Sequence, residues 1–159
     1  MTALFILGLV IVLTVILTLV AQILVSAARS KYKIIAPKTV GNDNFERAFR
    51  AHQNQLEANS LFIPLAFLQF PIILAVAETL KLVFNIRINY TLLDILAPGL
   101  VLLPNFIWLA GRAMYIYGYN VNNSKVKFIG GISSGVALIL VLLTILICGI
   151  ITYRFFSIY

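Results

Sequence analysis

Four long, mainly apolar segments separated by polar stretches organise the chain, and each helix they predict exceeds the ~20 residues that an α-helix needs to cross a bilayer. The pattern predicts helices over about 2–28, 44–77, 91–119 and 128–153. The first run, Thr2 to Ala28, is interrupted only by Gln22 and small hydroxyl residues. It is longer than the ~7–15 residues of a signal-peptide core and has no basic segment before it, so it reads as helix 1. A basic stretch follows at Arg29, Lys31, Lys33 and Lys38 and contains the breakers Pro37 and Gly41.

Asp43 and Glu46 have capping-box spacing, which predicts that helix 2 starts near Asn44. Its first turns, Glu46 to Asn59, are polar, and Leu61 to Ala77 is apolar, with kinks expected at Pro64 and Pro71. Glu78, Lys81, Arg87 and Asp94 mark the second connection. Pro98, Gly99 and Pro104 allow helix 3 to be one long kinked helix or to begin near Pro98. A polar loop from Asn120 to Lys127 then precedes helix 4, where Gly131 and Gly135 would let another helix approach closely.

Composition turns this pattern into a fold class. Of 159 residues, 62% are hydrophobic and 11% charged, and mean hydropathy is +1.03. That leaves too little polar surface for a soluble domain, so the chain is expected to be an all-α integral membrane protein, a single four-transmembrane-helix bundle. The formal charge of +7 would suggest nucleic-acid binding in a soluble domain. In a membrane protein it is an orientation signal instead, and no nucleic-acid partner is expected. Arg29, Lys31, Lys33, Lys38, Lys125 and Lys127 lie in loops one and three, against Lys81, Arg87 and Arg154 on the other side. Loops one and three are therefore expected to be cytoplasmic. The single Cys148 and the single His52 point to neither a disulfide framework nor a metal site.

The residues that suggest chemistry gather at the same end. Arg50, Asn54 and Glu57 recur at i, i+4 and i+7, so on a helix they share a face that offers a planar cation, an amide and a carboxylate. Arg112, Tyr115 and Tyr119, at i, i+3 and i+7, likewise share a face at the end of helix 3. An arginine after the apolar stretch Leu100 to Ala110 costs about 2.5–3.5 kcal/mol on insertion scales unless it meets a partner or a wet cavity. Each set also has a plainer explanation, headgroup contacts for the first and snorkelling with an aromatic belt for the second. The two together suggest a polar site between helices that would suit a ligand carrying carboxylates and an ammonium.

Glu46-Arg-Ala-Phe-Arg-Ala-His-Gln-Asn-Gln-Leu-Glu57 resembles the helix 2 signature of the MAPEG family, the membrane-associated proteins in eicosanoid and glutathione metabolism. Arg29, Gly41 and the segment Gly111-Arg-Ala-Met-Tyr-Ile-Tyr-Gly-Tyr119 extend the likeness over most of the chain. The resemblance implies a homotrimer with glutathione bound at the cytoplasmic side between subunits. It places Arg29, Arg50, His52, Asn54, Glu57, Arg112, Tyr115 and Tyr119 at positions that contact or frame glutathione in similar proteins. The arginines would take carboxylates, Glu57 the ammonium, and Asn54 and the tyrosines the peptide backbone. Many relatives carry an arginine between helices 3 and 4 that stabilises the thiolate, and Val126 stands there in this chain. Lys125 and Lys127 are then the candidate catalytic cations. Ser60 stands where relatives have a proline, with Pro64 further along.

The resemblance implies a glutathione transferase, with peroxidase action as a related activity, acting on a lipophilic electrophile or lipid hydroperoxide delivered by membrane lipid. The membrane would be endoplasmic reticulum in a eukaryote and the inner membrane in a bacterium. The alternative is a non-enzymatic member that binds and presents a lipid, and a third class is a small transporter component. The middles of helices 1 and 4 hold no ionisable residue, which speaks against the third class.

Overall fold

The computed structural model describes the backbone of residues 2–84 and 90–158, and side chains for 5–69, 71, 72, 75, 102–154 and 157. Its elements are α1 (Thr2–Lys31), α2 (Asp43–Phe84), α3 (Tyr90–Asn120) and α4 (Ser124–Ile158). The side chains expected to mark the second connection, Glu78, Lys81, Arg87 and Asp94, lie outside the described residues. The α1–α2 and α3–α4 connections sit at one end of the bundle, called here the basic end.

Local chemistry sets the helix boundaries. The end of α1 is closed by Lys33 at φ 54°, with the Ile34 amide returning to the Arg29 carbonyl at 3.0 Å. The end of α3 uses the same closure. Asn122 is at φ 55° and the Asn123 amide reaches the Gly118 carbonyl at 2.9 Å. The start of α2 differs by one residue from the expected capping box. Asn42, not Asp43, is the cap, accepting from the Asn44 amide at 2.9 Å, while Glu46 reaches back to the Gly41 amide at 2.9 Å. Gly41 itself is at φ 138°, which favours glycine.

The α3–α4 connection is shorter than expected. Asn123 Oδ1 accepts from the amides of Lys125 (3.1 Å) and Val126 (3.2 Å), so α4 begins at Ser124 and both candidate lysines lie in its first turn. Of the two readings of helix 3, the long one holds, and α3 includes Pro98 and Pro104. Helix α2 likewise continues through Pro64 and Pro71.

Among the described residues, α1 over Phe5–Lys31 and α4 over Ser124–Arg154 are long and apolar enough to cross a membrane. Their exposed faces carry Leu9, Val12, Ile16, Leu19 and Ile23, and Ile132, Val136, Ile139, Leu143 and Ile147. The interior is a packed column of Leu7 and Val10 from α1, Phe62 and Ala66 from α2, Leu102 and Trp108 from α3, and Ala137 and Val141 from α4. In lipid, apolar burial gives helices little reason to associate, so close packing and interhelical hydrogen bonds must hold them.

The closest packing is between α3 and α4. A Cβ on Gly111 would come within 2.5 Å of Ser133 Oγ and 2.8 Å of the Ser134 amide nitrogen. One on Gly130 would meet the Tyr115 nitrogen at 2.5 Å and the Gly111 carbonyl at 2.6 Å. The glycines at this crossing are thus Gly111, Gly118 and Gly130 and not the expected pair. Gly131 touches only the Tyr115 ring, at 3.5 Å, and Gly135 faces open space because it lies on the outer side of α4.

Candidate functional site at the basic end

The glycine crossing sets one wall of the site. A Cβ on Gly118 would lie 2.8 Å from the Cα of Lys127, so the two backbones touch there. That contact carries the Lys127 ammonium over the Tyr119 ring, 4.7 Å from its centroid. Tyr119 leans on Tyr115 at a centroid distance of 4.9 Å, and Asn54 donates from Nδ2 to the Tyr115 hydroxyl at 2.8 Å. This bond joins the helix 2 and helix 3 motifs across 61 residues of sequence.

Beside these side chains is a cleft of about 620 Å³, lined by Tyr115, Tyr119, Lys125, Lys127, Phe128 and Gly131 among others. Its volume falls in the ~300–1,000 Å³ range of small-molecule sites. Lys125 is exposed and Lys127 half-buried. Val126, between them, is half-buried in the same helical turn.

Arg112 lies behind the tyrosines. It is 5% exposed, and its guanidinium sits over the Tyr115 ring at 4.6 Å and the Trp108 ring at 5.7 Å. Its Nε donates to Gln55 Oε1 at 2.6 Å. Gln55 Nε2 donates to Asn59 Oδ1 at 2.9 Å, and Asn59 Nδ2 donates to Thr18 Oγ1 at 2.7 Å. This relay ties α3 to α2 and α2 to α1. Gln55 and Asn59 extend the buried stripe of Phe45, Ala48 and Ala51 toward Phe62 and Ala66. The signal was therefore present in the sequence, as two amides on the apolar face of α2 at helical spacing.

The other expected residues are spread around this core. Arg50 and Glu57 are exposed, and Glu57 accepts from Gln53 at 3.3 Å. Arg50 lines a second depression of about 250 Å³ with Thr39, Val40, Glu46, Phe49 and Gln53. His52 is half-buried in the polar turns that precede the apolar part of α2, and burial pushes its pKa below the usual imidazole value. Arg29 Nη1 donates to the carbonyls of Lys38 (2.9 Å) and Ile34 (3.3 Å), and the guanidinium covers the Phe45 ring at 4.8 Å. In a single chain, then, Asn54, Tyr115, Tyr119, Arg112, Lys125 and Lys127 come together. Arg50 and Glu57 face outward beside them, and Arg29 shapes the α1–α2 connection.

A profile of the MAPEG family matches residues 7–147. The chain belongs to the MAPEG family. Its fold is accordingly that of a membrane helix bundle. Over 137 residues the chain is 34% identical to a protein of Synechocystis sp. named "Uncharacterized protein sll1147", covering 84% of this chain and 83% of that one. A shorter match, 51% identical over 39 residues, is to microsomal glutathione S-transferase 2 of Bos taurus and covers 24% of this chain and 27% of that one. Among the described residues there is no cluster of His, Cys, Asp and Glu able to hold a metal.

Proposed function

We propose that this MAPEG protein is a membrane-bound glutathione transferase in which a cation-lined cleft at the basic end holds glutathione as its thiolate. The observation that carries the reading is the Asn54–Tyr115 hydrogen bond, which sets the two motif helices side by side next to a cleft bearing Lys125 and Lys127. The partial likeness to a microsomal glutathione transferase supports the same ligand.

Each residue has a role that its chemistry suits. Arg50 and Arg29 hold carboxylates and Glu57 the ammonium, with His52 framing the ligand. Asn54, Tyr115 and Tyr119 orient the peptide. Lys127, held over Tyr119, and Lys125 favour the thiolate over the thiol, whose ordinary pKa near ~8.5 leaves it mostly protonated at neutral pH. Both lysines sit at a helix N-terminus, where the backbone dipole adds to their attraction for an anion. The thiolate then attacks the electrophilic atom of a lipophilic substrate, the leaving group departs with its electron pair, and the thiol proton has already passed to water. With a lipid hydroperoxide the same thiolate attacks the terminal peroxide oxygen, the lipid alkoxide leaves and takes a proton to become the alcohol, and a second glutathione reduces the resulting sulfenic acid to give glutathione disulfide and water. All four helices cross the membrane in this reading, the α1–α2 and α3–α4 connections face the cytoplasm, and the protein works as a homotrimer. In the trimer the outward-facing Arg50 and Glu57 complete a site shared between subunits.

Val126 favours a second reading, a non-enzymatic member that binds and presents a lipid, because no guanidinium stands at that position. Turnover separates the two. Purified protein in detergent should conjugate glutathione to a chlorodinitrobenzene in proportion to enzyme concentration. Saturable lipid binding with no turnover would refute the transferase.

A further inference from the structure

Arg112 is a buried cation without a countercharge. Among the described residues no carboxylate lies within ion-pair distance of it, and its Nη2 is buried with no hydrogen-bond partner. The reason is visible in the sequence of the elements around it. Helices α1 and α4 contain no acidic residue, and the one acid of α3, Asp94, lies five helical turns away. Toward the basic end α2 offers Asp43, Glu46 and Glu57. Of these, Glu46 is bound to the Gly41 amide, and Glu57 is exposed and bound to Gln53. The group that meets Arg112 is instead the neutral amide of Gln55, itself fully buried and held by Asn59, which in turn donates to Thr18.

A burial this deep is costly for an unpaired charge, and a carboxylate at position 55 would lower that cost. A neutral acceptor leaves the field of the guanidinium intact. That field passes through the Tyr115 ring, 4.6 Å from the charge, and Tyr115 is a wall of the cleft. The cleft thus has the Lys127 ammonium over Tyr119 at one side and the Arg112 charge behind Tyr115 at the other.

We propose that Gln55 is a positioning residue whose neutrality keeps Arg112 an uncompensated cation behind the Tyr115 wall, and that this charge, with Lys127, stabilises the glutathione thiolate in the absence of an arginine at position 126. The inference rests on the transferase reading. Arg112 acts across the ring and touches no sulfur. The thiol proton goes to water, and no other bond changes. Of the titratable and charged groups, Tyr115 and Tyr119 on α3 and Lys125 and Lys127 on α4 line the cleft, with Arg112 behind Tyr115; at the same end of the bundle α2 carries Arg50, His52 and Glu57, and α1 carries Arg29.

The test is the thiol pKa of bound glutathione, read by ultraviolet difference absorbance across a pH series on the full chain in detergent. In Gln55→Glu a carboxylate accepts from Arg112 Nε as the amide did, and the thiol pKa should rise by roughly one unit. Asn59→Asp puts the carboxylate one link further away, with the Thr18 hydroxyl turned to donate, and should raise it by a smaller amount. Gln55→Met removes the hydrogen bond but leaves the charge, and should leave the pKa within ~0.3 of the wild type. Affinity for S-methylglutathione, which has no thiol to ionise, should change less than twofold in every variant. Should Gln55→Glu not fold, the Asn59→Asp shift decides the matter alone. The proposal is overturned by an unchanged pKa in the acidic variants, or by a Gln55→Met shift as large as that of Gln55→Glu, which would make the role structural. Wild type that binds no glutathione would instead remove the transferase reading beneath it.

Discussion

Among the described residues two buried polar layers cross this bundle, and they differ in what they touch. At the basic end Arg112, Gln55, Asn59 and Thr18 link three helices and end in a charge behind the cleft wall. Deeper in the bundle Asn105 donates to Gln69 at 2.9 Å and Gln69 to Thr144 at 3.3 Å, linking α2, α3 and α4. That second layer is neutral and sealed, with Gln69 and Asn105 at most 1% exposed. Along both α2 and α3 an apolar plug separates the layers, the Phe62 and Trp108 rings stacked at 4.4 Å and 8°. Both layers hold helices together where apolar burial does little. Among the described residues the first borders the cleft at the basic end, so it is the layer expected to affect ligand chemistry, and the plug stands between the two.

The cleft and the second layer both depend on α3 lying against α4, and the largest effect should come from removing that closeness. Gly130→Leu drives side-chain atoms into the backbone of Gly111 and Tyr115, which cannot yield as a side chain would. A loss of more than about 3 kcal/mol is expected, seen as failure to purify a folded, monodisperse protein. Gly135→Leu, on the open side of α4, should leave the purified protein as stable as wild type. Equal behaviour of the two would contradict the placement of the crossing.

The next effect separates ligand binding from stability. Arg50→Ala should weaken glutathione binding by about 1.5–3 kcal/mol, roughly 10- to 150-fold, with the melting temperature nearly unchanged because the side chain is exposed. Calorimetric titration beside a thermal melt checks both halves. Gln69→Leu should do the reverse. Losing an interhelical hydrogen bond in a membrane core costs about 0.6–2 kcal/mol, read as a lower melting temperature, with glutathione affinity unchanged. A Gln69 variant that alters affinity would erase the distinction between the layers. The smallest effect should follow Asn123→Ala, which removes the α4 cap for about 1 kcal/mol or less and loosens Lys125 and Lys127. Its readout is a modest fall in turnover with binding retained.

The four apolar runs were legible as helices because their length and polarity leave few alternatives, and the motif positions on α2 and α3 were legible from helical spacing. Helix ends were less so. The α4 start moved to Ser124 because the cap was supplied by Asn123, and a lone Asn inside a polar stretch looks like any loop residue. The cap of α2 moved to Asn42 for a similar reason, since Asn42 and Asp43 are both good caps and geometry alone chooses between them. The glycine pair was misplaced because Gly130 and Gly131 are adjacent and only the rotation of α4 decides which one faces α3. The polar layers were missed because Gln55, Asn59 and Gln69 lie on the apolar face of α2, while Arg50 and Glu57 carry the more conspicuous charges outside it.

The most direct test of the account is the ultraviolet difference spectrum of purified wild-type protein titrated with glutathione at pH values from about 6 to 9, the range around the ~8.5 of a free thiol. The account predicts a saturable thiolate absorbance that persists at pH values well below the pKa of the free thiol. Binding that produces no thiolate below that pKa, or no binding at all, would contradict it.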